Sequence, residues 1–137
     1  MKRSILIFTL LIAFVVGASA QFTTGVKMAQ TTSDSIKTGA LTVDKVLPIL
    51  GGYNVVSIQP VVTKVSGTIA GTVTVLVSVD GTNYIATGDT LTLSNKTINT
   101  TIFKYVGNPY WKYKIHAVGS GTMNGVLTVW YVCRKHE

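Results

Sequence analysis

Apolar and polar residues alternate with a period of two through most of this chain. Thr72 to Val79 is the clearest case: Val73, Val75, Val77 and Val79 share one face, while Thr72, Thr74 and Ser78 share the other. Successive side chains of a strand point to opposite sides, so this period predicts a half-buried strand. Val55 to Val65 alternates likewise, with Val56, Ile58 and Val62 on one face and Ser57, Gln59 and Thr63 on the other. Pro60 lies inside that run and cannot donate a ladder hydrogen bond, which predicts an edge position or a bulge. Shorter strands are expected at Tyr84-Ile85-Ala86, at Leu91-Thr92-Leu93 and over Ile98 to Tyr105. No stretch shows a sustained helical period with caps.

Two long strands close the chain. In Tyr110 to Ala117, Trp111, Tyr113, Ile115 and Ala117 alternate with Lys112, Lys114 and His116. The aromatic face is expected in the core, because burying two unpaired lysines costs far more than exposing a tyrosine. Val126 to Cys133 is apolar on both faces, with Trp130 and Val132 opposing Leu127, Val129, Tyr131 and Cys133. A strand apolar on both sides lies centrally or at a contact between subunits, which marks Leu127, Val129, Trp130 and Tyr131 as a candidate oligomer interface.

Turn chemistry separates these segments. Val79-Asp80-Gly81-Thr82-Asn83-Tyr84 is a hairpin signature, with Asp closing the turn through its side chain and Gly supplying a positive φ. Ser66-Gly67-Thr68-x-x-Gly71-x-x-Thr74-Val75 recurs as Ser120-Gly121-Thr122-x-x-Gly125-x-x-Thr128-Val129. This echo reads as two equivalent hairpins in the halves of a sandwich, or as the same turn chemistry reached twice. The pattern as a whole predicts an all-β fold, an antiparallel β-sandwich or jelly roll of about 6–8 strands.

The N-terminus reads differently. Lys2 and Arg3 precede the apolar stretch Ile5 to Val16, which ends in Ala18-Ser19-Ala20. A charged start, a short apolar middle and an Ala-x-Ala end make residues 1–20 a secretory signal peptide, expected to leave a mature form starting at Gln21. Left uncleaved, the same segment would be a membrane anchor, although a span needs about 20 apolar residues. Residues 21–50 form a polar segment with one early strand and a loose first ten residues. Gly51-Gly52 then turns into a sandwich body over residues 51–137. The location this implies is periplasmic, extracellular or cell-surface.

Charge and cysteine usage narrow the partners. The chain carries 12 Lys and Arg against 5 Asp and Glu. The lysines are scattered, whereas a nucleic-acid binder gathers them on one stripe, so no nucleic-acid partner is expected. Cys133 is the single cysteine. It sits in an apolar strand pattern and reads as a small buried hydrophobe, leaving the fold to its core or to oligomer contacts.

Chemistry-bearing residues are sparse. The two histidines are His116 and His136, and the one glutamate is Glu137. A Ser-His-Asp set from His116 with Asp80 or Asp89 lacks any G-x-S-x-G nucleophile motif, and no enzyme activity is expected. Zinc would need closely spaced Cys or His. Calcium would need Asp80, Asn83 and Asp89 around one loop, and turn chemistry accounts for the first two without it. No metal or cofactor is therefore expected. Loop-edge aromatics remain, and Asp80, Asn83, Tyr84 and Tyr110 are the candidate residues for binding a surface glycan.

The run Ser66 to Tyr84, together with Val56-Ser-Ile-Gln-Pro-Val-Val-Thr-Lys64, Asn108-Pro-Tyr-Trp-Lys-Tyr-Lys-Ile115 and Gly119-Ser-Gly-Thr-Met123, resembles small β-sandwich proteins of tailed phages and prophages, especially those of Bacteroidota. That resemblance implies a virion accessory role, as a head-decoration, fibre or tail-associated module, and it transfers no catalytic residues. Ser78-x-Asp80-Gly81-x-x-Tyr84 is also similar to a turn in discoidin-like surface-binding domains. The leader departs from the phage pattern. The expectation is thus a non-enzymatic structural protein that forms a homo-oligomer or docks on a larger assembly such as a capsid or tail. The alternative is a secreted carbohydrate- or surface-binding module. N-terminal sequencing of the exported protein should begin at Gln21; a retained Met1 would establish the anchor instead.

Overall fold

A computed structural model describes residues 26–37, 42–47, 53–107 and 110–135. The leader and Gly51-Gly52 lie outside the described residues. Among those described there are ten strands and no helix: β1 (Val26–Gln30), β2 (Asp34–Lys37), β3 (Thr42–Leu47), β4 (Val55–Ser66), β5 (Gly71–Ser78), β6 (Ile85–Leu93), β7 (Ile98–Thr100), β8 (Phe103–Val106), β9 (Lys112–Gly119) and β10 (Asn124–Arg134). They form two antiparallel sheets. The first runs β1-β10-β4-β7, with β2 also on β10 and β8 also on β4; the second runs β3-β9-β5-β6.

Two pairs of strands share lanes. β1 and β2 lie end to end along β10, and β7 and β8 lie end to end along β4. Each sheet therefore has four lanes. The chain changes sheet between all successive lanes except β5 and β6, which is the two-sheet winding of a jelly roll. Ten strands in eight lanes reconcile the count with the expected 6–8. Thr31 shows how one lane survives its break: its N–H donates to the Val129 carbonyl (2.9 Å), and its Oγ1 accepts the Val129 N–H (3.1 Å).

Several sequence expectations are corrected here. Val26–Gln30, within the ten residues expected to be loose, form β1, whose backbone pairs with β10 from Val26↔Arg134 to Gln30↔Trp130. Tyr84–Ala86 and Leu91–Leu93 are not separate strands. Their residues lie in or beside one β6 that bulges at Gly88 (φ 90°), where the register on β5 shifts between Thr74 and Leu76. Pro60 is buried in an interior strand, neither at an edge nor at a bulge. Its rung partner Val129 turns both backbone polar groups toward Thr31, so the Pro60 backbone faces the other neighbour. On that side β8 pairs only through Ile58 and β7 resumes at Val61, so the missing N–H falls in the gap between them.

The sandwich core follows the alternation. Val56, Ile58 and Val62 of β4 and Leu127, Val129, Tyr131 and Cys133 of β10 point inward from the first sheet. Val73, Val75 and Val77 of β5 and Tyr113, Ile115 and Ala117 of β9 meet them from the second. Trp111 does not join them: it is 61% exposed. β5 ends at Ser78, whose partner is Lys112, so the sheet has no rung left for the preceding residue. The Trp111 N–H instead donates to the Ser78 carbonyl (2.8 Å).

The internal echo turns out to be two inter-sheet arches, not two hairpins. Ser66–Gly71 carries the chain from β4 to β5, and Gly119–Asn124 returns it from β9 to β10 at the same end of the sandwich. The arches pack on each other: the Thr68 N–H donates to Thr122 Oγ1 (3.2 Å), and the Ser120 N–H donates to the Ala70 carbonyl (3.1 Å). Gly67 has φ 72°, and a Cβ there would lie 1.8 Å from the Thr122 carbonyl oxygen. Both the conformation and the close approach demand glycine. Gly67→Ala should cost at least about 2 kcal/mol, lowering the melting temperature by roughly 10 °C. Gly107→Ala shares the positive φ but meets open space, and should cost about 1 kcal/mol. Equal losses in thermal melts would contradict the arch contact.

Candidate functional site

Two surface features gather the residues of interest. The first is the corner formed by the β5–β6 turn and the approach to β9. Asp80 holds the turn: its Oδ1 accepts from Ser78 Oγ and from the Thr82 and Asn83 N–H groups, all at 2.8 Å, and its Oδ2 accepts Asn83 Nδ2 at 2.6 Å. These bonds, led by the one from Thr82, hold the Asp80 carboxyl far below the usual aspartate range. Asp80, Asn83 and Tyr110 line one shallow depression of about 220 Å³ with Val77, Ser78, Val79 and Ile85. Tyr84 is apart from them, its ring beneath Lys114 Nζ at 4.4 Å. Three of the four candidate glycan residues are thus brought together, and Asp80 is already engaged by its own turn.

Trp111 belongs to this corner and was missed in the sequence, where it shares the parity of Tyr113. The signal available was the turn itself, which ends β5 at Ser78 and deprives Trp111 of a rung. Gly81 seats the indole: at φ 79°, a Cβ there would lie 3.1 Å from the Trp111 Cδ1. Lys112 Nζ reaches over to the Gly81 carbonyl at 3.4 Å. Val79 (72% exposed), Ile85 (66%) and Trp111 thus project together. Beneath them Tyr110 packs edge-on against Tyr113 (5.9 Å between centroids), which in turn meets Tyr105 (5.2 Å).

The second feature is the outer face of the β1-β10-β4-β7 sheet. The pleat divides the expected oligomer strip. Leu127, Val129 and Tyr131 are at most 2% exposed and belong to the core, which leaves Trp130, 40% exposed, as the surface member. Around Trp130 the register places Gln59 beside it, Val132 next to Ser57, and Val61 between Thr128 and Thr100. Ile98 and Ile102 are more than half exposed. Ile102, Trp130, Val132, Gln59 and Ser57 line a recess of about 200 Å³. An exposed apolar strip rimmed by polar residues such as Gln59, Thr63 and Thr128 is a candidate contact surface.

Polar clusters elsewhere clasp strands together. Asp44 on β3 reaches across to β9, with Oδ1 2.7 Å from His116 Nδ1 and Oδ2 3.3 Å from Lys114 Nζ. Partial burial pulls the Asp44 pKa upward, but the bonds to His116 and Lys114 outweigh it and leave the carboxyl below its ordinary value. Lys45 pairs with Asp34 and donates to Thr32 Oγ1, tying β3 to the β1/β2 lane. The Tyr105 hydroxyl donates to Asp89 Oδ2 (2.6 Å), and burial together with that carboxylate pushes the phenol pKa up. Asp89 is thereby engaged by Tyr105 and Thr87, and shares no hydrogen bond with the Asp80 turn. Among the described residues no three His, Cys, Asp or Glu side chains converge, and no helix is long and apolar enough to cross a membrane.

Comparison with known proteins leaves the chain without a family. No family description matches it, and no curated protein is significantly similar. Among solved structures it is similar to one described under "Bacillus endospore appendages form a novel family of disulfide-linked pili", with 11% identity, 81% of this chain and 89% of that chain covered, and a TM-score of 0.44. A likeness this loose assigns neither family nor activity.

Asp44 and Asp80 make the fold sensitive to acid. Both have folded pKa values below the unfolded value near 4, so their stabilisation is complete above about pH 5 and is lost as pH falls through the unfolded value toward the folded ones. Asp80→Ala should lower the melting temperature at pH 7 and flatten its decline between pH 5 and 2. An unchanged acid profile would show that the turn does not depend on this carboxylate.

Proposed function

We propose that this chain is a non-enzymatic structural β-sandwich that works by self-association, burying the outer face of its six-stranded sheet. One observation carries the reading: Trp130, Ile98 and Ile102 stand exposed on that face, among half-buried Val61, Val126 and Val132. Aromatic and branched aliphatic residues of this kind form the centres of protein interfaces, where a few anchors supply most of the affinity. The setting we propose is an exported or virion-borne assembly, the role implied by the resemblance to phage accessory proteins. The glycan-binding alternative has weaker support. The Asp80 oxygens are already hydrogen-bonded to neutral donors of their own turn, which leaves its charge but not its acceptors to a sugar, and the nearby depression is bordered by the aliphatic Val79 and Ile85.

Trp130→Glu tests the reading. The wild-type protein should show concentration-dependent mass in sedimentation velocity. The variant should associate at least about 30-fold more weakly, the loss expected for a 2 kcal/mol interface anchor. A wild-type protein that stays monomeric at high concentration would remove the basis for self-association.

A further inference from the structure

We propose that this self-association is head-to-tail: the corner carrying Trp111, Val79 and Ile85 of one copy seats on the Trp130 face of the next. The inference rests on the reading just given and adds the identity of the partner surface. The two features share no residue. The face belongs to β10, β4 and the β7/β8 lane, while the corner belongs to the β5–β6 turn and the start of β9. A two-fold dimer through either feature would leave the other bare, whereas a head-to-tail contact covers both.

Charge favours the asymmetric pairing. Both surfaces are apolar: the corner carries three apolar side chains 61% to 72% exposed around a depression of about 220 Å³, and the face holds a recess of about 200 Å³ beside Trp130. At one end of the face the exposed Lys104 and Arg134 flank Ser57 and Val55 by register. Of the four described carboxylates, Asp34 and Asp44 pair with cations and Asp89 with the Tyr105 hydroxyl. Asp80 is bonded only within its own turn, and it sits at the corner. Face against face about an axis along the strands would bring the Lys104 and Arg134 of both copies together with no carboxylate to answer them, and about an axis across the strands would set each basic end against the other copy's Thr63 and Ile98, which carry no charge. Corner against face sets an ionised Asp80 toward them, the complementarity that selects one pairing over another. Such a contact does not close at two copies; it continues into a ring or a filament.

A mixing experiment on the full chain decides the matter. Trp111→Lys disables the corner and repels the basic face, while Trp130→Glu disables the face and repels Asp80. Each variant alone should remain monomeric at concentrations where the wild type grows beyond a dimer. Mixed in equal amounts they should form a 1:1 heterodimer and stop there, because the intact corner of one meets the intact face of the other. Val79→Lys and Ile102→Glu, both at exposed positions outside the strands, should reproduce this pattern, and thermal melts on all four establish that the fold is kept. If Trp111→Lys and Val79→Lys assemble like wild type while Trp130→Glu does not, the face pairs with itself, and the head-to-tail inference fails with self-association intact. Folded variants that remain monomeric when mixed would also overturn the inference. A monomeric wild type would overturn both readings.

Discussion

The pairing of β4 with β10 is the interaction on which the rest of this molecule depends. Every residue of β10, from Asn124 to Arg134, faces a residue of β4, and the two strands form the middle lanes of the larger sheet. Inward, that ladder presents Val56, Ile58, Val62, Leu127, Val129, Tyr131 and Cys133 to the core. Outward, the same pleat must present Val61, Val126, Trp130 and Val132. A shift of one residue would exchange the two sets, so register, core and surface strip are one constraint. The apolar outer face follows directly from the register that builds the core.

The two ends of the sandwich are closed by different means. At one end the stacked arches use Gly67 and Gly71, where added Cβ atoms would lie 1.8 and 2.1 Å from carbonyl oxygens of the facing chain. At the other, Tyr105, Tyr113 and Tyr110 form a chain of ring contacts, with Tyr105 tied to Asp89 on β6. That aromatic closure underlies the projecting corner. Trp111 is presented on a backbone fixed by three short bonds to one Asp80 oxygen and by its own N–H to Ser78. Holding an exposed indole in place before contact reduces the ordering cost of binding through it.

Much of this was legible in the residues. Period-two alternation marks the inner faces of β4, β5, β9 and β10, and the Asp80-Gly81 hairpin and the buried Cys133 stand where turn and strand chemistry put them. What was not legible depends on where partner strands end. Trp111 has core parity, but β5 stops one rung short of it. Pro60 reads as an edge or bulge residue, but a gap between β7 and β8 accommodates it in the interior. The repeated Ser-Gly-Thr segments read as hairpins because local turn chemistry does not say whether a chain returns in its own sheet or crosses to the other. Of the predicted interface residues, alternation already separated Trp130 from Leu127, Val129 and Tyr131; which side faced the core required the second sheet.

The central claim is that the Trp130 face is buried by another copy, and the most direct measurement is iodide quenching of tryptophan emission across a dilution series, with mass followed by light scattering. The chain has two tryptophans, Trp111 and Trp130, both exposed on the single subunit. The account predicts that quenching falls as mass rises with concentration. Growth in mass with both indoles still fully quenched, or a constant monomer mass throughout, would contradict it.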